Sequence, residues 1–172
     1  MQDLQKELLS NYKIDIRSYE DNIVEDIPSL LKKINTITLQ SDDSIIQLLD
    51  CDYICGTGHI NQGISQAIKA FDEGQNFAKD KGLEICVRTS AQKQISEALK
   101  ILGIKDKGNI TVVYVNTTPE QISKTEELLS NRNDSLIEEY DSDKIIKAYK
   151  LRSSDNILNN INEKIALLAL KN

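Results

Sequence analysis

The sequence predicts an α/β or α+β fold: a single domain with a mixed β-sheet flanked by helices. Three observations carry this. Strand-like and helix-like runs alternate along the 172 residues. From Ile60 the apolar period becomes helical, with Ile60, Ile64, Ala67, Ile68 and Phe71 on one stripe. Asn109–Val115 is a dense β-branched run of the kind found at the centre of a sheet. A chain of this length buries a full core.

The elements follow in order. Tyr12–Tyr19 alternates Ile14 and Ile16 with polar residues, as a half-buried strand does. Asp26 and Pro28 start a short helix that ends near Lys33. Ile34–Leu39 is β-rich and reads as a second strand. Ser41 or Asp42 caps a short helix through Leu49. Tyr53–Cys55 is a brief strand, and Gly56 and Gly58 mark the turn after it. The helix from Ile60 to Phe71 breaks at Glu73-Gly74, and Gln75–Lys81 adds a turn or two.

Leu83–Thr89 then reads as a strand, with Leu83, Ile85 and Val87 on one face and Glu84, Cys86 and Arg88 on the other. A helix over Ala91–Leu102 follows, capped by Thr89 with Gln92 or by Ser90, and stopped by a left-handed Gly103. Asn109–Val115 is the next strand. Thr118, Pro119 and Gln121 start a helix that reaches about Ser130. Asn131–Asp143 is a polar, acidic loop. Lys144–Lys150 is a last strand, and Asp155–Leu170 a final helix.

Composition narrows the classes of function. No apolar run approaches the roughly 18 to 20 residues of a membrane span. The polar N-terminus is not a secretory signal. Cys51, Cys55 and Cys86 lack metal-finger spacing and read as reduced core or strand residues of a cytoplasmic protein. The net charge is −6, yet residues 79–107 carry 7 basic and 4 acidic side chains. A local basic patch on an acidic protein suits a short piece of nucleic acid, not a long duplex.

No catalytic set is evident. The chain has one histidine, His59, with no nucleophile motif around it, and it reads as a capping or surface contact. There is no phosphate-cradling glycine loop, and no cluster has metal-ligand spacing. Two features point to binding instead. At the Arg88–Lys93 junction, free backbone N–H groups, Arg88 and the hydroxyls of Thr89 and Ser90 can converge on a phosphate. The alternative is that Arg88 pairs with Glu84 and the hydroxyls only cap the helix. The last turns, Ile165 to Leu170, are apolar nearly all round, with Leu167 and Leu170 off the main stripe. This suits either a second contact surface or a helix wrapped by its own domain.

The runs HINQGISQAIKAF, LEICVRTSAQKQISEALKILGIKDKG, ITVVYV and KAYKLRSSDNILNNINEKIALLALK resemble the smallest subunit of the archaeal and eukaryotic KEOPS complex, a family of kinase-binding proteins. The resemblance covers roughly residues 36–170 and is most specific over Arg88–Leu99. It departs at Ala91, where the family often has glycine, and at Lys93, where it often has arginine. It implies a non-catalytic, cytoplasmic subunit without metal or cofactor. Its partners would be the atypical KEOPS kinase/ATPase, tRNA and, indirectly, the other KEOPS subunits. In the archaeal complexes the family resembles a module that grips the single-stranded CCA end of tRNA during threonylcarbamoyl-adenosine modification. The implied tRNA-binding residues are Arg88, Thr89, Ser90, Lys93, Gln94, Lys69 and His59. The implied kinase interface is Ile161, Ile165, Leu167 and Leu168. On this reading Arg88→Glu lowers tRNA affinity and leaves stability intact. A structural adaptor that activates the kinase without touching RNA is the alternative.

Overall fold

Every residue from Ile110 to Val115 is β-branched or aromatic, and Lys107–Val115 forms the middle strand of a three-stranded sheet in the computed structural model. The structure describes residues 2–153 and 155–170. Ser154 and Lys171, in the last family-like run, lie outside the described residues. Helix α1 is Gln2–Leu9, strand β1 Ile14–Ile23, helix α2 Ile27–Thr38 and strand β2 Ile45–Asp50. Helices α3 (Thr57–Asp72), α4 (Lys81–Thr89) and α5 (Ile95–Leu102) precede β3 (Lys107–Val115). Helices α6 (Pro119–Glu126), α7 (Ser142–Tyr149) and α8 (Ile157–Leu170) complete the order.

The architecture is α+β, with helices on both faces of one sheet of order β1-β3-β2. Both pairings are antiparallel, so the expected mixture of parallel and antiparallel strands is absent among the described residues. One face packs Ile45, Leu49, Val113 and Val115 against α3, α4 and α5. The other packs Ile46, Leu48, Val112 and Tyr114 against Leu30, Ile34 and Ile37 of α2 and Ile122 of α6. A third cluster, built on Ile145, Tyr149, Ile157, Ile161 and Ile165, joins α7 and α8.

The strand expected at Leu83–Thr89 is helix α4. Asp80 caps it, accepting a hydrogen bond from the Leu83 N–H at 2.9 Å. Ile85, Cys86 and Val87 are all buried, so the segment has no wet face to set a helical period. A short buried helix and a short strand then look alike in sequence.

Ile34–Leu39 is the second half of α2, not a strand. Leu30, Ile34 and Ile37 make one buried stripe, and the Thr36 and Thr38 hydroxyls bond to carbonyls one turn back. The helix expected up to Leu49 is replaced by β2 after a turn in which Asp43 takes φ +61. Tyr53–Cys55 is not a strand; a 3-10 turn occupies Cys51–Tyr53.

The helix expected from Ala91 starts at Ile95. Ser90 closes α4, and Ala91 at φ +59 turns the chain before α5. Gly103 has φ −65, so the stop is not left-handed. Lys144–Lys150 is helical because Asp141 accepts the Asp143 and Lys144 N–H groups and starts α7. Asn131–Asp143 holds a further 3-10 turn, Asp134–Glu138, which buries Ile137. The Thr118 and Gln121 capping box forms as expected. All three cysteines are free and buried. Among the described residues no helix is long and apolar enough to cross a membrane.

Candidate functional site

Helices α3 and α4 cross where residue 63 has no side chain. A Cβ on Gly63 would stand 1.9 Å from the Thr89 Oγ1, so only glycine permits this approach. The crossing brings four of the expected RNA-binding residues together, but inside the protein. His59, Arg88, Thr89 and Ser90 are each shut from solvent.

Arg88 lies one helical turn from Glu84 and donates from Nε to Glu84 Oε2 at 2.7 Å. Its Nη2 donates to the Gln75 carbonyl at 3.0 Å, and the guanidinium stacks 4.2 Å from the Phe77 ring centroid. Glu84 Oε1 accepts the backbone N–H groups of Phe77 and Ala78 at 2.9 and 2.7 Å. The pair therefore fastens the 75–78 loop to α4. Of the two alternatives open in the sequence, the pairing of Arg88 with Glu84 is the one the structure contains, as a helical i,i+4 pair.

His59 is a clamp, neither a cap nor a surface group. Its Nδ1 accepts the Cys55 N–H at 3.1 Å, which leaves the proton on Nε2 to donate to the Thr89 carbonyl at 2.8 Å. The Tyr149 ring meets it edge-on at 5.5 Å. Burial pushes the imidazole pKa down to about 4, against the smaller upward pull of the Thr89 carbonyl. The ring stays neutral near pH 7.

Ser90 donates its hydroxyl to the Val87 carbonyl at 2.7 Å and accepts the Gln92 N–H at 3.3 Å. Thr89 Oγ1 is buried without a hydrogen-bond partner. Lys69 is half-buried in the last turn of α3, ten residues from His59, or about 15 Å along the axis. It is not gathered with the other residues.

Lys93 and Gln94 are exposed. Gln94 is the residue before α5, and its side chain makes no capping bond. The first N–H groups of α5 therefore have no side-chain cap at that position, beside a lysine. A pocket of about 210 Å³ opens on the same α4–α5 turn, lined by Ala91 and Gln92 and by Lys150, Lys164, Leu167 and Leu168. Among the described residues neither Lys150 nor Lys164 is in an ion pair. Neither lysine belongs to the expected site: Lys150 falls at the end of the expected strand Lys144–Lys150, and Lys164 inside the expected final helix. In the structure Lys150 closes α7 at φ +54, a left-handed conformation that the sequence does not announce.

On α8, Ile161, Ile165 and Leu168 are buried in the protein's own core, while Leu167 is 40 % exposed and Leu170 81 %. Three of the four expected kinase contacts thus belong to the core, and the outward face is Leu167 with Leu170.

The fold and this interior define a small α+β scaffold in which polar side chains brace helix crossings and leave a basic turn and an apolar helix face outside. A sequence model of the family described as kinase binding protein CGI-121 matches residues 21–169, and the chain belongs to that family. The regulatory protein Cgi121 of Methanocaldococcus jannaschii is 35 % identical over 128 residues, covering 73 % of this chain and 83 % of its own. The KEOPS complex subunit Cgi121 of Pyrococcus abyssi is 46 % identical over 48 residues, 28 % of either chain. These findings agree with the resemblance carried by Arg88–Leu99.

Proposed function

We propose that the chain is a non-catalytic KEOPS subunit that binds the kinase through α8 and recruits tRNA through its single-stranded CCA end, in support of threonylcarbamoyl-adenosine modification. Family membership supports the kinase half of this reading. The RNA half rests on the pocket at the α4–α5 turn, where Lys150 and Lys164 face Ala91 and Gln92 beside the uncapped start of α5. Such a site offers backbone donors and point charges to a few phosphates, which is enough for a strand end. Lys93 and Gln94 are its exposed neighbours. Arg88, Thr89, Ser90 and His59 act behind it, holding the turn in place. The test is a gel shift of the chain with intact tRNA and with tRNA lacking CCA. Tighter binding of intact tRNA is the expected result, and equal binding rejects the CCA-end mechanism.

The second reading is an adaptor that activates the kinase with no direct RNA contact. The net charge of −6 and the burial of Arg88 favour it. No gel shift with either tRNA at moderate salt, together with retained kinase binding, is its signature.

A further inference from the structure

The two edges of the sheet are treated differently. Along β1, the chain covers its own edge at Ser18 and Glu20: Asn131 accepts the Glu20 N–H, Asn133 donates to the Ser18 carbonyl, and Asp134 Oδ1 accepts the Ser18 N–H. Proteins hide strand edges in this way because a bare edge invites another strand. Along β2 no such cover exists among the described residues. The only partner drawn onto its outer side is the strand's own Gln47, whose Nε2 donates to the Leu48 carbonyl at 3.3 Å.

The register says which groups are free. Ser18 faces outward on β1, so its partner Thr111 in β3 turns its backbone toward β2 and bonds Leu49. The alternation of an antiparallel ladder then puts the N–H and C=O of Ile46 and Leu48 on the outer edge. This edge lies at the bottom of a groove of about 590 Å³. Leu31 and Ile34 of α2 form one wall; Leu83 of α4 and Leu99 of α5 form the other. Leu31 is 45 % exposed and Leu99 44 %. Among the described residues Lys79 and Lys81 line the groove without a carboxylate partner, the Lys81 ammonium lying 5.9 Å from the Phe71 ring centroid, and the Asp80 carboxylate beside them accepts the Leu83 N–H. Asp43 lines it as well.

From this we infer that the β2 edge is a docking site for an extended segment of a partner protein, which adds to the sheet as a fourth strand. Main-chain bonds to Ile46 and Leu48 would give affinity, and the two walls would select side chains that alternate between them. Leu31 on one wall and Leu83 and Leu99 on the other are the apolar anchors, so the segment carries apolar residues, with an acidic residue placed against Lys79 and Lys81. A second copy of this chain is a poorer fit. Its own β2 is recessed between helices, and two recessed edges do not meet. The inference is independent of the tRNA and kinase readings.

The test selects binders from a phage-displayed random peptide library on the immobilised full chain and repeats the binding with synthetic versions. Amide exchange of the labelled chain is followed by NMR. The expected binders are apolar segments with an acidic residue. Their addition slows exchange of the Ile46 and Leu48 amides, which exchange fast in the free chain. Leu31→Lys with Leu99→Lys weakens binding by about tenfold or more at unchanged melting temperature, the loss expected when central apolar anchors are removed. Absence of enrichment overturns the inference. So does equal binding by the double variant, or protection of both amides in the free chain. Protection that appears only as the chain's own concentration rises assigns the edge to self-association and overturns the chosen occupant.

Discussion

Arg88 reaches back one turn of α4 to Glu84, Nε to Oε2 at 2.7 Å, with both side chains out of contact with water. Removing one member of such a pair leaves a buried charge without compensation. Arg88→Ala therefore destabilises the fold by about 3 to 5 kcal/mol, read as a lower urea midpoint. Arg88→Glu does worse, because it sets two carboxylates face to face. The expectation that this change spares stability and acts only on RNA is thus corrected by burial. Arg88→Met combined with Glu84→Gln loses less than either charge-leaving single change. The glutamine still accepts the Phe77 and Ala78 N–H groups.

Gly63→Ala tests the helix crossing. The new methyl group meets Thr89 Oγ1 head-on, and overpacking of this kind costs about 1 to 3 kcal/mol. Thr89→Ala removes a buried hydroxyl that has no partner, so alone it costs little. In the double variant the hydroxyl that the methyl meets is gone. Thermal melts should place Gly63→Ala/Thr89→Ala above Gly63→Ala.

These two pairs show what was legible in the sequence and what was not. The central strand at Asn109–Val115, the α3 stripe and the Thr118 cap were readable, because each repeats or announces itself locally. Helix α4 was not. Seven of its nine residues are buried, and its diagnostic feature is the Glu84–Arg88 spacing, which fits a strand face equally well. Half of the candidate site went with it. Arg88, Thr89, Ser90 and His59, expected at an RNA site, lie together inside the protein, and a sequence does not say which side of a junction faces water. Ala91 holds φ +59, a conformation glycine adopts freely.

The exposed lysines carry the RNA prediction. Lys93→Glu and Lys164→Glu each weaken binding of intact tRNA and leave the melting temperature unchanged. Removing one phosphate contact lowers the slope of log affinity against log salt by about 1. Fluorescence titrations across a salt series measure it. An unchanged slope in both variants removes these residues from the RNA site.

Helix α8 separates interface from core. Leu167 is half-open to solvent, so Leu167→Glu keeps the fold and reduces affinity for the KEOPS kinase by roughly tenfold or more, as for a central interface anchor. Ile165 is fully buried, and Ile165→Glu unfolds the chain by placing a carboxylate in the core. Calorimetric titration of the folded Leu167→Glu variant against the kinase checks the first outcome. Unchanged affinity would take this face out of the interface. Leu167 also lines the Lys150–Lys164 pocket, so a kinase bound there would approach the proposed RNA site closely.

His59 sets a pH dependence with a definite sign. Its ordinary pKa is 6.5, and burial lowers the folded value to about 4. Between these values the unfolded chain binds the proton and the folded chain does not, so stability rises with pH. The contribution is complete above about pH 6.5 and falls away as pH drops toward 4. The span corresponds to a loss on the order of 3 kcal/mol. Asp50 works in the opposite sense. Burial raises its pKa, with Lys105 pulling it back, so its protonation favours the folded chain at low pH. The two are distinguished by His59→Gln, whose carboxamide keeps hydrogen-bonding capacity without titrating. Urea midpoints for the parent and for His59→Gln, compared between pH 4 and 7, should converge as the pH falls. The single imidazole should also show no NMR titration between pH 5.5 and 7.5. A shift with a midpoint near 6.5 would mean that the ring is open to water and that the clamp between Cys55 and Thr89 does not hold.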